Sequence, residues 1–344
     1  MAVHGAAKNV EDAITQGVRS MEKDEKGQMG EKGQMGQMGE KGEKGEAPFR
    51  SGFVALVGRP SVGKSTLLNA AVGGKLAITS PVAQTTRRRM RAVVNTPGSQ
   101  LVIVDTPGLH KPKDALGKEL NKVALGELGD VDVVAFLVDA TKPVGRGDEW
   151  VAKHVAASRA PFKLLVITKA DLAKPEQVRS QLDAASALAR FDDAMVISAK
   201  EGFNVDSFVS LVGEHLPEGP RWFPEDMDCD ATDEELVAEF VREKVLNNLR
   251  QEVPHSVGVI CDDIDWRKDG LASIRATIIV EREGQKGIVI GKGGQMIKRI
   301  GTQARRDVER LFDTKVFLDL QVRVQPQWRR DQNEIRRLGY DYEE

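Results

Sequence analysis

Short apolar runs of strand length alternate with helix-length segments between residues 50 and 218 of the chain. The runs are rich in Val, Ile and Leu, and they lie at 52–57, 101–105, 133–140, 163–169 and 194–198. Strands that are apolar at nearly every position are typical of a parallel sheet buried on both faces, with helices as the crossovers. The pattern therefore predicts an α/β domain with a mainly parallel sheet over 50–218.

A second pattern follows this domain. Pro224 to Glu239 contains eight acidic and no basic residues, which indicates an acidic linker at 219–232 and then a helix capped by Thr232 or Asp233. Beyond this helix cap, the pattern of apolar and polar residues predicts helices and strands in an order different from that of the first domain. These are a helix over 234–249, strands near 257–262 and 272–282, a helix over 295–311 and a strand over 315–324. We predict a smaller α/β domain over 233–330 and a polar C-terminal tail at 331–344.

The N-terminal segment has no such pattern. Residues 1–49 are dominated by a repeat of Gly with Glu, Lys, Gln and Met, and the repeat has no aromatic or β-branched residue. A segment of this composition buries too little apolar surface to offset the entropy of ordering. We predict a disordered low-complexity tail.

Composition places the chain among globular proteins of two domains. Of 344 residues 40% are hydrophobic and 30% charged, and the net charge of −2 does not indicate nucleic acid for the chain as a whole. No apolar run approaches the length of a membrane span. The two cysteines are far apart and not in metal-ligand spacing, so we expect reduced thiols.

The stretch "GRPSVGKS" follows the first strand and opens a helix, and it fits the G-x-x-x-x-G-K-[ST] pattern. Its glycines let backbone N–H groups face phosphate oxygens, Lys64 adds a charge, and the Ser65 hydroxyl suits Mg²⁺. The alternative is a glycine-rich turn between core elements. The predicted nucleotide-binding residues are Gly58, Arg59, Pro60, Ser61, Val62, Gly63, Lys64, Ser65 and Thr66.

The stretch "VIVDTPGLH" ends the next predicted strand after the glycine loop. Asp105 stands where a carboxylate reaches Mg²⁺, and the Gly108 N–H can contact a γ-phosphate. By itself "DTPG" could also be a turn after a strand. The predicted nucleotide-binding residues here are Asp105, Thr106, Pro107 and Gly108.

Two further motifs, "ITKAD" and "ISAK", also end strands. A carboxylate at Asp171 can accept from the N1–H and 2-amino groups of guanine, which adenine lacks, and this argues against an ATPase or a P-loop kinase. The Ala199 N–H can face guanine O6. The predicted base-binding residues are Thr168, Lys169, Asp171, Ser198, Ala199 and Lys200.

The order "GRPSVGKS", "QTTR", "DTPG", "TKAD", "SAK" resembles GTPases of the TrmE–Era group. The resemblance implies a P-loop GTPase with switch I at 76–91. It places Thr86, rather than Thr85, on Mg²⁺ with Ser65 and Asp105, and it gives Lys64, Thr86 and Gly108 the catalytic roles. The arginines of this segment are expected to form a solvated face rather than a catalytic finger; they are Arg87, Arg88, Arg89 and Arg91.

Three residues depart from the pattern of that group. Ser61 replaces an asparagine that helps to hold K⁺ in several relatives, so K⁺ stimulation is in question. Thr168 replaces the asparagine of Asn-Lys-x-Asp, which predicts weaker nucleotide binding with guanine selectivity kept. Leu109 cannot orient a water as the glutamine of Ras-type enzymes does, which predicts slow intrinsic hydrolysis. A binding module with little or no hydrolysis remains the alternative.

The stretch "GIVIGKGGQMIKRIG" contains a G-x-x-G loop before an amphipathic helix. Such a loop lets a nucleic-acid backbone approach closely, and type II KH domains use it to clamp single strands. Residues 284–330 contain eleven Lys/Arg and four acids, a local charge of +7. The alternative is a glycine turn beside a charged helix. The predicted RNA-binding residues are Ile288, Ile290, Gly291, Lys292, Gly293, Gly294, Lys298 and Arg299.

A GTPase domain followed by this block resembles the Era family over about 52–342. The resemblance implies a GTP-switched factor of small-ribosomal-subunit assembly that holds the 3′ end of small-subunit ribosomal RNA, with GTP or GDP and Mg²⁺ as cofactors. We expect a monomer in the cytoplasm, or in a plastid or mitochondrial matrix. Peripheral contact with the inner membrane is known in the family, and no segment of this sequence shows it.

Overall fold

The computed structural model describes residues 48–80, 85–88, 90–109, 115–126, 128–249, 256–268 and 270–340, which form two α/β units. The N-terminal tail predicted at 1–49 lies outside the described residues except for its last two. No helix among the described residues is long and apolar enough to cross a membrane.

Six strands form the sheet of the first unit, in the order β2-β3-β1-β4-β5-β6. They are β1 (Arg50–Val57), β2 (Met90–Asn95), β3 (Ser99–Asp105), β4 (Val133–Asp139), β5 (Phe162–Thr168) and β6 (Asp193–Val196). All neighbours are parallel except β2, which runs antiparallel to β3. The predicted, mainly parallel sheet is confirmed, and β2 is the strand that the sequence pattern did not reveal.

Among the described residues, five helices cover the two faces of this sheet. They are α1 (Lys64–Val72), α2 (Ala115–Gly126), α3 (Arg146–Ala157), α4 (Pro175–Ser186) and α5 (Val205–Glu214). Leu67 and Phe208 belong to the core on one face, and Val151 and Val178 to the core on the other. Because β3 and β4 are buried at every position, their apolar runs have no alternation. The carboxyl ends of the parallel strands meet at one edge, where ligands bind in such sheets.

The second unit has the element order α-β-β-α-α-β of a type II KH domain, as the sequence predicted. Its elements are α6 (Asp233–Asn248), β7 (Gly258–Trp266), β8 (Ala272–Val280), α7 (Glu283–Ile290), α8 (Gln295–Leu311) and β9 (Val316–Val324). The sheet order is β7-β8-β9. Helix α6 begins with a capping box, in which the Glu235 N–H donates to Thr232 Oγ1 and the Thr232 N–H donates to Glu235 Oε2.

The acidic linker lies against the first unit. The Val93 N–H donates to the Asp228 carbonyl at 2.8 Å, and the Asp230 N–H donates to the Arg91 carbonyl at 3.0 Å. These bonds run the linker antiparallel along the outer side of β2, and thereby cover an edge strand that would otherwise expose its backbone groups.

The prediction of a polar tail at 331–344 is wrong as far as residue 340. Helix α9 (Gln332–Arg337) follows the second unit, and Ile335, Leu338 and Tyr340 are buried. They pack with Trp328 and with Leu120 of α2 in the first unit. The segment looks like a tail in sequence because its few apolar residues find their partners in a distant element. Residues 341–344 lie outside the described residues.

Candidate functional sites

The glycine-rich loop after β1 has two residues with positive φ, one of which is a glycine and the other a serine. Ser61 and Gly63 have φ of 64° and 107°, and α1 starts at Lys64. A Cβ on Gly58 would lie 2.7 Å from the Leu137 carbonyl oxygen, and a Cβ on Gly108 would lie 2.8 Å from the backbone of Pro60. The "DTPG" loop therefore lies directly against the glycine loop, and a side chain at 108 would separate them, whereas a side chain at 58 would clash with β4.

A cavity of about 410 Å³ opens where these loops meet. Residues of the glycine loop and α1, Gly108 and Lys169 line it, together with the segment around Thr86 and Asn247 of the second unit. The other residues predicted for the base lie outside the lining, namely Thr168, Asp171, Ser198, Ala199 and Lys200. The structure thus brings the phosphate-binding candidates together around one cavity, with the base-binding candidates at its side.

Three oxygen atoms form a compact cluster at the start of α1. Ser65 Oγ lies 3.0 Å from Asp105 Oδ2, and Thr86 Oγ1 lies 3.1 Å from each of these atoms. Asp105 is 1% exposed, and its Oδ1 has no hydrogen-bond partner among the described residues. Burial raises the pKa of Asp105. Two hydroxyls and a carboxylate are hard oxygen ligands, and a divalent cation would offset the cost of the buried carboxylate. The donor set therefore fits Mg²⁺.

Lys64 is buried with only weak contacts to its ammonium group. Lys64 Nζ lies 3.4 Å from the carbonyl oxygens of Gly58 and Arg59, the hydrogen bonds that it makes among the described residues. Burial lowers the pKa of Lys64 to about 8, and the nearby Asp105 charge opposes this shift only in part. A buried cation that lacks a strong partner favours an anionic ligand.

The base-binding motifs connect to the phosphate loop through hydrogen bonds. Thr168 Oγ1 donates to the Val62 carbonyl at 2.6 Å, and Lys169 Nζ donates to the Ser61 carbonyl at 2.6 Å. Ser198 Oγ donates to Asp171 Oδ1 at 2.7 Å, which orients the carboxylate predicted to contact guanine. The Thr168 hydroxyl therefore links the base-binding motif to the glycine loop by a hydrogen bond.

Some predicted residues of the nucleotide site point elsewhere. Arg59 Nε donates to Asp148 Oδ1 on α3 at 2.7 Å, so the Arg59 side chain is engaged by another helix. Thr106 Oγ1 donates to the Leu56 carbonyl at 3.0 Å and fixes the "DTPG" loop to β1. Lys200 is paired with Glu201 at the surface.

The second glycine loop stands open to solvent between α7 and α8. Gly291, Gly293 and Gly294 all have positive φ, and a Cβ on Gly293 or Gly294 would contact nothing within 4 Å. Ile288 is 51% exposed on α7, and Lys292 is exposed in the loop. Lys298 and Arg299 are exposed on the first turns of α8. The eight predicted RNA-binding residues therefore lie on α7, in the loop and on α8, around an accessible turn.

The arginines after Thr86 do not form the solvated face that the sequence predicted. Arg87 is 1% exposed, and its Nη1 donates to the Val257 carbonyl of the second unit at 2.6 Å. Arg88 pairs with Glu235 on α6 at 3.1 Å, and the Arg91 N–H donates to Asp230 of the linker. Arg89 lies outside the described residues. These contacts were invisible in the sequence because their partners lie about 140 to 170 positions away.

Sequence reasoning also missed the residues of the second unit that hold the segment before Thr86. Glu243 on α6 accepts from the Thr79 N–H at 2.9 Å and pairs with Lys75. Asn247 Nδ2 donates to the Thr79 carbonyl at 3.5 Å and lines the cavity. A buried acid and an asparagine on a helix give no local signal for such a contact.

Comparisons with known proteins cover both units. A family model described as "50S ribosome-binding GTPase" matches residues 53–169, and one described as "KH domain" matches 252–329. The crystal structure of Era in complex with MgGDPNP and nucleotides 1506–1542 of 16S ribosomal RNA is 38% identical, with a TM-score of 0.81, over 86% of this chain and 100% of that chain. The crystal structure of a tyrosine-to-alanine variant of Aquifex aeolicus Era bound to GDP and AlF₄⁻ has the same identity, coverage and TM-score.

Proposed function

This chain belongs to the Era family of GTPases, and from that premise we propose that it is a GTP-hydrolysing switch of small-ribosomal-subunit assembly. In this proposal the first unit binds GTP or GDP with Mg²⁺. The second unit, a KH domain, binds the single-stranded 3′ end of small-subunit ribosomal RNA. The cluster of Ser65, Thr86 and Asp105 carries the proposal, because one of its three oxygens comes from a segment that the second unit holds in place.

Each part of the nucleotide has a candidate partner in this chain. Lys64 and the N–H groups of the glycine loop would bind the phosphates, and Ser65, Thr86 and Asp105 would hold Mg²⁺, which neutralises charge on the phosphates when bound. The Gly108 N–H is the candidate donor to the γ-phosphate. Leu109 is 1% exposed in the core, so its side chain does not orient a water. We infer slow intrinsic hydrolysis, with the water held by backbone groups or by a partner.

The coupling of nucleotide and RNA is tested with a short single-stranded RNA that matches the 3′ end of small-subunit ribosomal RNA. It is titrated into the protein loaded with GDP, and again with a non-hydrolysable GTP analogue. We expect tighter binding in the analogue-bound state, because the γ-phosphate fixes Thr86 in a segment that contacts the KH domain. Equal affinities would contradict nucleotide control, and absent binding in both states would contradict the RNA role.

Guanine selectivity is tested by Asp171→Asn. The amide replaces one acceptor oxygen by a donor, so it clashes with the donor edge of guanine and matches the carbonyl of xanthine. We expect the preference to shift from GTP to XTP by about 100-fold, since a mispaired buried polar group costs about 1–3 kcal/mol on each base. Competition binding of the two nucleotides measures it. Asp183→Asn, on the exposed side of α4, is the control and should keep the GTP preference.

K⁺ dependence, oligomeric state and compartment stay predictions. Ser61 is exposed and has a hydroxyl where the resemblance places an asparagine amide, so we propose that K⁺ is not required. We keep the expectation of a monomer in the cytoplasm, or in an organelle matrix.

A further inference from the structure

The segment Gln325–Tyr340, here called the C-terminal segment, contacts the loop that carries Thr86. Trp328 and Tyr340 lie on the Arg87 guanidinium, with ring centroids 5.8 and 5.6 Å from its carbon, and the Tyr340 phenol is a polar neighbour that acts to raise the pKa of Arg87. Arg88 lies 5.9 Å from the Tyr340 ring. Two consecutive residues after Thr86 therefore rest on one tyrosine.

The same segment packs on the element that follows the "DTPG" loop. Leu116 and Leu120 of α2 are buried in one apolar cluster with Trp328, Leu338 and Tyr340. Gly108 and α2 belong to the second nucleotide-responsive region of the GTPase fold, and Thr86 belongs to the first. Both regions thus meet the C-terminal segment.

The C-terminal segment is itself fixed to the KH domain. Trp328 Nε1 donates to the Ser256 carbonyl at 2.9 Å, and Arg329 pairs with Glu281 at 2.8 Å. A Cβ on Gly258 would lie 2.9 Å from Leu338 Cδ2, so Leu338 fits closely over the start of β7. Movement of the segment therefore requires movement of the KH domain.

The backbone on the other side of Thr86 is also held by the KH domain. Arg242 on α6 is fully buried, donates to the Thr85 carbonyl and pairs with Glu239. Burial and the neighbouring charge of Arg242 lower the pKa of Arg87 to about 10, and both guanidinium groups stay charged at neutral pH. A buried guanidinium that loses its partners is costly in free energy. Displacement of residues 85–87 would break the contacts of both Arg87 and Arg242, so this loop has one favoured position.

We propose that the C-terminal segment is an internal docking element for both nucleotide-responsive loops, and that Tyr340 is a positioning residue that acts through Arg87 on Thr86. This inference rests on the proposed function, since it needs Thr86 to contact the γ-phosphate and Mg²⁺. By linkage, a state of the KH domain in which the C-terminal segment contacts both loops favours binding of GTP over GDP. Binding of GTP favours these contacts to the same extent.

The test uses the full chain with Tyr340→Leu and Tyr340→Phe. Tyr340→Leu removes the ring under Arg87, and we expect the affinity for a GTP analogue and kcat each to fall about tenfold, which corresponds to about 1.4 kcal/mol and lies within the range of cation–π contacts. GDP affinity should change less than twofold, because GDP has no γ-phosphate for Thr86. Tyr340→Phe removes only the hydroxyl, so it should fold and shift the analogue-to-GDP ratio in the same direction by about two- to threefold.

Phe317→Leu is the matched control. Phe317 is an aromatic residue on β9 of the KH domain, is 56% exposed, and lies outside the apolar cluster of the C-terminal segment. It should leave both affinities and kcat unchanged. The proposal would be overturned if folded Tyr340→Leu and Tyr340→Phe kept the unmodified ratio of the affinity for the GTP analogue to the affinity for GDP. An equal loss for GDP and the analogue would also overturn it, because it would show a merely structural role. Failure of the unmodified protein to bind or hydrolyse GTP would instead contradict the proposed function.

Discussion

Lys64→Ala is expected to lower the affinity for GTP by about 100-fold or more, and the affinity for GDP, which lacks the γ-phosphate, by about tenfold or more. The Lys64 ammonium is buried beside the cavity with two contacts of 3.4 Å to carbonyl oxygens, so its strong partner must be the ligand. A charge-assisted hydrogen bond contributes about 1.5–3 kcal/mol, and a lysine between two phosphates makes at least one with each. Titration of a fluorescent guanine nucleotide, free of hydrolysis, measures the loss.

The control for this substitution is Lys174→Ala, at the exposed start of α4, which should bind nucleotide as the unmodified protein does. Folding can be checked without ligand. Burial lowers the pKa of Lys64, so burying its charged ammonium at neutral pH lowers the free energy of unfolding. Loss of this charge in Lys64→Ala should therefore not lower the thermal stability. A folded Lys64→Ala variant with unchanged affinity would show that the phosphates bind elsewhere.

Lys292→Asp combined with Gly293→Asp is expected to reduce binding of single-stranded RNA by about 100-fold and to leave GTP turnover without RNA within about twofold. The change removes a phosphate contact and adds two carboxylates to the turn where the backbone would approach. Open space around Gly293 means that the aspartate fits without a clash, although its φ of 59° is less favourable for it than for glycine. RNA titration at two salt concentrations measures the effect, and the salt dependence should become weaker.

The chain offers a closely matched control in the turn before β8. Lys268→Asp with Gly270→Asp makes the same change of charge, and Gly270 also has a positive φ and open space at its Cβ. This pair lies at the opposite end of β8 from α7 and the glycine loop, so RNA binding should change little. An equal loss from both pairs would indicate a general effect of charge, and loss of both RNA binding and turnover would indicate misfolding.

The fold class and the family are confirmed in the form that the sequence predicted, because the signals that carry them are local. The glycine loop before α1 and the glycine turn before α8 depend on the residue types at those positions. They do not depend on the path of the chain elsewhere. The Thr232 capping box is equally local. Strand β2 was missed because the short run at Met90–Asn95 follows directly on the arginines assigned to switch I.

The sequence by itself therefore determined the two units, their order and the residue types around the phosphates, since each rests on contacts between neighbours in the chain. Only the tertiary structure decided that Arg87 is buried rather than solvated, that Tyr340 is part of the interface rather than of a tail, and that Asn247 borders the nucleotide cavity. The physical reason is the same for all three. Burial of a polar or solitary apolar side chain depends on which distant surface covers it, and no periodicity along the chain specifies that partner.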